Sequence, residues 1–241
     1  MSNDVRCPRA PEGPVLISLS GGMDSATVLY YALSNHPPEE IFACSIDYGQ
    51  THHTELSNAQ QLAKLTKIRF WSVRELPLKN FTQSALLNPT GRYSDAEAPV
   101  LPDPGVAPSW LPARNAILLS ALAGLAYTLG ISTVGTGVNA VDWSGYPDCT
   151  PEFVDALQTA LQFALGKPHE KSPFRLWAPL LHLSKKEIVL LGEGLEVPWH
   201  LTWSCYNPDE DGRPCQTCGA CTVRAKGFAD ANLNDPLLEE A

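Results

Sequence analysis

Apolar positions along the chain switch between a strand-like and a helix-like rhythm. Val15, Leu16, Ile17 and Leu19 form a short β-branched run, after which Ala26, Leu29, Tyr30 and Leu33 recur at helical spacing. Between the two stands Ser20-Gly21-Gly22, which reads as a tight turn between a strand and a helix N-terminus. Ile41 to Asp47 is apolar on both faces, as in a parallel strand covered by helices. The pattern then predicts a helix over Glu55 to Lys67 and a strand over Ile68 to Val73. Further on come a helix from Asn115 to Leu129 and a short strand from Thr133 to Gly137. An amphipathic helix follows from Pro151 to Gly166, its apolar face carrying Phe153, Val154, Leu157, Leu161, Phe163 and Leu165. Phe174 to Pro179 is a last strand, and Ser184 with Glu187 forms the capping box of another helix.

Strand-helix-strand repetition of this kind predicts an α/β protein with a doubly wound, mostly parallel sheet. Residues 14–200 are expected to form that body, residues 1–13 a frayed lead-in, and residues 201–241 a small cysteine-bearing region packed on it. Leu76 to Pro112 interrupts the pattern with seven prolines and two glycines, and is expected to form a lid over the site.

The glycine turn carries the first candidate chemistry. Adjacent glycines accept positive φ and let a ligand approach the backbone, while the first helical amides point outward, so the turn suits an anion. Asp24 and Ser25 open the helix, where they can cap it or hold a metal ion on a phosphate. No Gly-Lys-Ser/Thr and no G-x-G-x-x-G follows, which excludes a Walker loop and a dinucleotide fingerprint. The string Ser-Gly-Gly-x-Asp-Ser instead resembles the pyrophosphate loop of the ATP-pyrophosphatase superfamily, whose members split ATP to AMP and pyrophosphate and so adenylate a substrate oxygen.

Composition narrows the partners. The formal net charge of −9 over 241 residues argues against a nucleic-acid surface and for a small polar substrate. The longest apolar stretch, Ala116 to Leu129, is too short to cross a bilayer, and the N-terminus has no apolar signal core, so a cytoplasmic protein is expected. Of seven cysteines, Cys215, Cys218 and Cys221 stand at C-x2-C steps, with Cys205 ten residues upstream. Four thiolates at this spacing suit a tetrahedral Zn2+ whose closed coordination makes it structural, with an iron–sulfur cluster as the competing occupant. Cys7, Cys44 and Cys149 remain as thiols.

Other candidates have plainer alternatives beside them. Arg114 and Lys185 lie at helix starts, where a cation opposes the dipole and an anionic partner is the functional reading; an exposed surface residue is the plain one. His52 and His53 follow the second strand and read as loop residues on their own. Val141 to Cys149 packs Asp142, Trp143, Tyr146 and Asp148 into one loop, which suits a planar base stacked on aromatics with its N–H donors on a carboxylate; the alternative is a turn held by Asx bonds.

Taken together, Ser20-Gly21-Gly22-x-Asp24-Ser25, Tyr48-Gly49-Gln50-x-His52-x-x-Glu55, Pro112-x-Arg114-Asn115, Asp142-x-Ser144-Gly145-Tyr146-Pro147-Asp148-Cys149, Leu183-Ser184-Lys185 and Trp203-Ser204-Cys205-Tyr206 resemble the 7-cyano-7-deazaguanine synthase family over nearly the whole chain. The resemblance implies an adenine nucleotide alpha hydrolase-like (PP-loop) fold with a C-terminal four-cysteine zinc lobe. It implies that 7-carboxy-7-deazaguanine, ammonia and ATP are the substrates, with Mg2+ on the nucleotide, one structural Zn2+, and a homodimer. By the same resemblance Ser18, Leu19, Ser20, Gly21, Gly22, Asp24, Ser25 and Thr27 bind the nucleotide. Asp24, Arg114, Lys185 and His52 are then the catalytic candidates, and Asp142, Tyr146 and Asp148 the groups that bind the deazaguanine ring. Thr51 and Thr150 stand where the family commonly has arginine.

Overall fold

A computed structural model describes residues 7–50, 54–78, 87, 110–141, 146–166, 173–209 and 211–239. Five parallel strands, β1 (Val15–Ser18), β2 (Ile41–Asp47), β3 (Phe70–Glu75), β4 (Thr133–Gly135) and β5 (Arg175–Trp177), form one sheet in the order β3-β2-β1-β4-β5. The central strand β1 pairs Val15 with Ile41 on one side and with Thr133 on the other.

Alternation along β1 divides the core in two. Val15 and Ile17 face a cluster that includes Leu29, Leu62, Ile188 and Phe228, while Leu16 faces one built with Leu122, Val134, Val154 and Leu161. The first face is therefore covered by α1 (Met23–Leu33), α2 (Thr54–Thr66), α5 (Lys185–Gly194) and α6 (Gly219–Ala231), and the second by α3 (Arg114–Thr128) and α4 (Pro151–Ala164). A last helical turn, α7, spans Pro236–Glu239. With helices on both faces and the strand order turning back beside β1, the crevice at the C-terminal ends of β1 and β4 is the ligand edge of such a sheet.

Two expectations are corrected. Residues 7–10 are tied down rather than frayed: Tyr31 donates to the Cys7 carbonyl at 3.2 Å, Trp177 Nε1 donates to the Pro8 carbonyl at 3.0 Å, and Cys7 and Ala10 pack on the core. Phe163 does not belong to the buried face of α4, for its ring is 83% exposed; only Val154 and Leu161 of that helix are fully buried. Thr150 is the N-cap of α4 and accepts from Phe153 N at 3.2 Å, which a longer basic side chain could not do.

The C-terminal helices share the main core. Phe228 packs edge-on against Trp199 at 5.5 Å. Arg224, buried, forks onto Asp235 (2.7 and 2.8 Å) and also donates to the carbonyls of Thr202 and Trp199.

Candidate active site and metal centre

Gly21 has φ +91°, and a Cβ added there would lie 2.0 Å from the Glu55 carbonyl oxygen. The turn after β1 thus needs glycine twice, for its left-handed conformation and for the approach of α2. Ser25 does not cap α1. The N-cap is Gly22, and Ser25 Oγ folds back to donate to the Gly22 carbonyl at 3.0 Å while accepting from Ser20 N and Gly21 N at 3.2 Å. Gly22 N in turn donates to Ser20 Oγ at 3.2 Å. Three successive amides therefore converge on two hydroxyls, a place where an anionic oxygen is the stronger acceptor.

Neighbouring nucleotide-binding candidates support this loop from behind. Leu19 donates to the Cys44 carbonyl and accepts from Ser45 Oγ, and the Thr27 hydroxyl donates to Met23 O at 2.8 Å. Both are fully buried, whereas Ser18 ends β1 half-buried.

Asp24 and Lys185 meet across the loop. Lys185 Nζ lies 2.8 and 2.9 Å from the two Asp24 carboxylate oxygens. Lys185 begins α5, whose entry is fixed by the predicted capping box and by Asn139 Nδ2, which donates to the carbonyls of Leu180 and Leu183. The lysine stem crosses Gly227 of α6, where an added Cβ would fall 2.5 Å from Lys185 Cγ.

Beside the loop, segments distant in sequence bring Tyr48, Glu55, Arg114, Tyr146 and Tyr206 together. Arg114 opens α3 after Ala113, which has φ 57°, and its guanidinium carbon lies 5.9 Å from the centre of the Tyr48 ring. Burial opposes the Arg114 charge, but Tyr48, Tyr206, Tyr146 and Asp148 outweigh it and raise its pKa, so it stays a cation. Burial pushes the Glu55 carboxyl up to about 7, against the pull of Arg114.

Asp148 has a positioning role. Its carboxylate accepts from Asn115 N at 2.8 Å and from Trp110 Nε1 at 3.3 Å, and Asn115 Nδ2 returns a bond to the Asp148 carbonyl at 2.9 Å. These bonds clamp the turn that carries Tyr146, itself buried, to the start of α3. Leu78, Leu87 and Leu111 pack with Tyr48 and fix the two ends of the expected lid. The candidates His52 and Asp142, and most of that lid, lie outside the described residues.

Cys205, Cys215, Cys218 and Cys221 place their sulfurs within 4.8 Å of one another. A tetrahedral ion with bonds of about 2.3 Å spaces its sulfurs by about 3.8 Å, so the group fits a single metal ion. Backbone amides of Cys215 and Asn207 donate to Cys205 Sγ at 3.2 and 3.3 Å, and Cys218 N donates to Cys215 Sγ at 3.3 Å, which favours thiolates. Hydrogen bonds from the Cys205 and Cys221 thiols hold Cys218 well below the usual thiol range. The lobe joins the phosphate loop directly, through Trp203 N donating to the Gly21 carbonyl at 2.9 Å.

A five-stranded parallel sheet of this order, with a Ser-Gly-Gly-x-Asp-Ser turn after its central strand, defines an α/β protein of the PP-loop type, an ATP-using fold. An NMN synthetase from Francisella tularensis shares that fold at a TM-score of 0.51 and 18% identity, covering 95% of this chain and 82% of its own. The family model described as "Queuosine biosynthesis protein QueC" matches residues 14–232, and the chain belongs to that family. Among its curated relatives, the 7-cyano-7-deazaguanine synthase of Stutzerimonas stutzeri (strain A1501) is 42% identical over 228 residues, 93% of this chain and 97% of the relative. That of Azoarcus sp. (strain BH72) is 40% identical over 226 residues, 94% and 96% of the two chains.

Sequence reasoning had put no role on Glu55. The residue stood in the Tyr48 to Glu55 string, but its raised pKa depends on burial among groups that only the fold assembles. Gly227 was missed as well, because nothing in the sequence of α6 shows that a lysine stem must cross it.

Proposed function

We propose that the protein converts 7-carboxy-7-deazaguanine and ammonia to 7-cyano-7-deazaguanine using ATP, the product being the one that the names of its relatives carry. The observation that carries the reading is the phosphate loop, with three amides converging beside a half-buried Arg114 and the Asp24–Lys185 pair. A carboxylate does not yield an oxygen to an amine at neutral pH, so one oxygen is first adenylated. Ammonia then displaces AMP to give the amide. The amide oxygen is adenylated in its turn, and departure of AMP with a proton leaves the nitrile.

Each adenylation develops charge on the departing pyrophosphate, and the loop amides, Lys185 and Arg114 are fixed donors for it. Asp24 is the carboxylate that would meet Mg2+ carried by the phosphates, and that ion supplies neutralising charge. Asp142 and Tyr146 hold the deazaguanine ring, with Asp148 orienting the Tyr146 turn, and His52 is a further catalytic group. Zn2+ on the four cysteines closes the C-terminal lobe, which residues 201–241 form on the body of 14–200. A reducing, cytoplasmic setting keeps those thiols available. The homodimer reading draws support from α3, whose residues Ser120, Ala121, Gly124 and Tyr127 leave a weakly polar outer face exposed; light scattering behind size exclusion should give twice the chain mass.

Mass spectrometry of a reaction with the acid, ammonium and MgATP should show the nitrile together with AMP. Amide alone would assign an activity that stops halfway, and no ATP consumption would end the reading. Arg114→Ala should lower turnover at saturating substrate by about a hundredfold, the scale of one lost charge-stabilising donor. A variant with near-wild-type turnover would remove Arg114 from the site.

A further inference from the structure

The proposed conversion has a proton problem that its nucleotide chemistry does not solve. Carboxylate, ammonium and two ATP become nitrile, two AMP and two pyrophosphate, and both carboxylate oxygens leave on AMP. The nitrogen enters with four protons and ends with none. One is lost to make ammonia nucleophilic, one after attack on the acyl adenylate, one as the amide oxygen is adenylated, and the last as the second AMP departs. An acceptor must sit beside the reacting carbon and return to its basic form between steps, and among the described residues none of the groups assigned above serves. Arg114 is a permanent cation, Lys185 is engaged with Asp24, and both Asp148 oxygens hold the Tyr146 turn.

Glu55 has the required placement. It stands in the first turn of α2, and its backbone carbonyl lies flush against Gly21, so the side chain starts from the edge of the phosphate loop. It is half-buried and shares an enclosure with Tyr48 from the end of β2, Arg114 from α3 and Tyr206 from the metal lobe, with Tyr146 adjoining. Among the described residues Arg114 is the charged group that faces it; Tyr48 and Tyr206 are neutral, since burial raises both.

We propose that Glu55 is the general base of the reaction, taking the protons that the ammonia-derived nitrogen sheds on the way to the nitrile. The proposal rests on the functional reading above and adds to it the residue that handles the protons. Burial raises the Glu55 carboxyl to about 7, and Arg114 limits the rise. A base of that strength accepts a proton near neutrality and releases it to water between steps. As the basic form is the active one, the rate of nitrile formation rises with pH and levels off above about 7.

The test compares two measurements on the full-length metal-loaded protein. Nitrile formation from the acid, ammonium and MgATP is followed from pH 5.5 to 9 at a fixed concentration of free ammonia, alongside acid-dependent exchange of labelled pyrophosphate into ATP, which reports the first adenylation alone. Glu55→Gln should lower nitrile formation by about a hundredfold, abolish its rise near neutral pH, and reduce exchange far less. Glu55→Asp should restore part of the rate and the pH dependence. Equal losses in exchange and nitrile formation, or a Glu55→Gln profile superimposable on the wild type, would overturn the proposal. Wild-type protein that exchanges pyrophosphate but forms neither amide nor nitrile would instead overturn the functional reading.

Discussion

Gly21→Ala is expected to abolish ATP-dependent turnover, a loss beyond about a thousandfold, while the sheet remains folded. Two penalties act together. The residue sits at φ +91°, where an L side chain costs about 1–2 kcal/mol, and its Cβ would come within 2.0 Å of the Glu55 carbonyl oxygen and 2.9 Å of Ala59 N. Both obstacles are backbone atoms of α2 and cannot swing away. Either the loop or the helix has to move, and the amides of Ser20, Gly21 and Gly22 lose their common focus. Gly130→Ala separates the two effects, since Gly130 has φ +72° with nothing within 4 Å of an added Cβ. That control should lower the melting temperature a few degrees and keep full activity. If Gly21→Ala behaves like Gly130→Ala, the approach of α2 does not shape the phosphate loop.

The contrast shows which parts of the site a sequence can announce. The run from Val15 to Leu33 declared strand, glycine turn and helix because each is written in local periodicity, and the structure places β1 and α1 there. The capping box of Ser184 and Glu187 was readable for the same reason, as were cysteines at metal spacing. What stayed hidden depends on long-range encounters. Asp24 and Lys185 are 161 residues apart, and no periodicity in α1 or α5 pairs them. Ser25 reads as a cap in isolation, yet the turn of Gly21 brings two amides to its hydroxyl and the side chain answers those instead. Phe163 fitted the apolar face of α4 by spacing, but the helix packs on the sheet only through Val154, Leu161 and their neighbours, and the ring is left outside. Asp148 reads as a carboxylate for a planar base; only its partners Asn115 and Trp110 show that it also orients the turn that carries Tyr146.

Removing the metal should act on the same loop from the opposite side. The cluster around the cysteines has little core of its own: Trp203, Cys205, Cys218 and Cys221 are its buried members, and three of the four are ligands. Metal binding on the order of 10 kcal/mol is therefore the main term that holds it. Trp203 N in that cluster donates to the Gly21 carbonyl, so melting it frees the loop that focuses the phosphates. Strong chelation, or Cys221→Ser, is expected to lower turnover beyond about a thousandfold and to strip hydrogen-exchange protection from Trp203 through Cys221. The second half of α6 should keep its protection, because Phe228 packs on Trp199 and Arg224 stays forked onto Asp235 without the metal. Loss confined to the lobe and loop, restored by adding Zn2+ to the chelated protein but not to Cys221→Ser, fits a structural ion. Metal-free protein of full activity would show that the four thiols hold the lobe by packing alone, and a protein that regained activity with iron and sulfide but not with Zn2+ would name the other occupant.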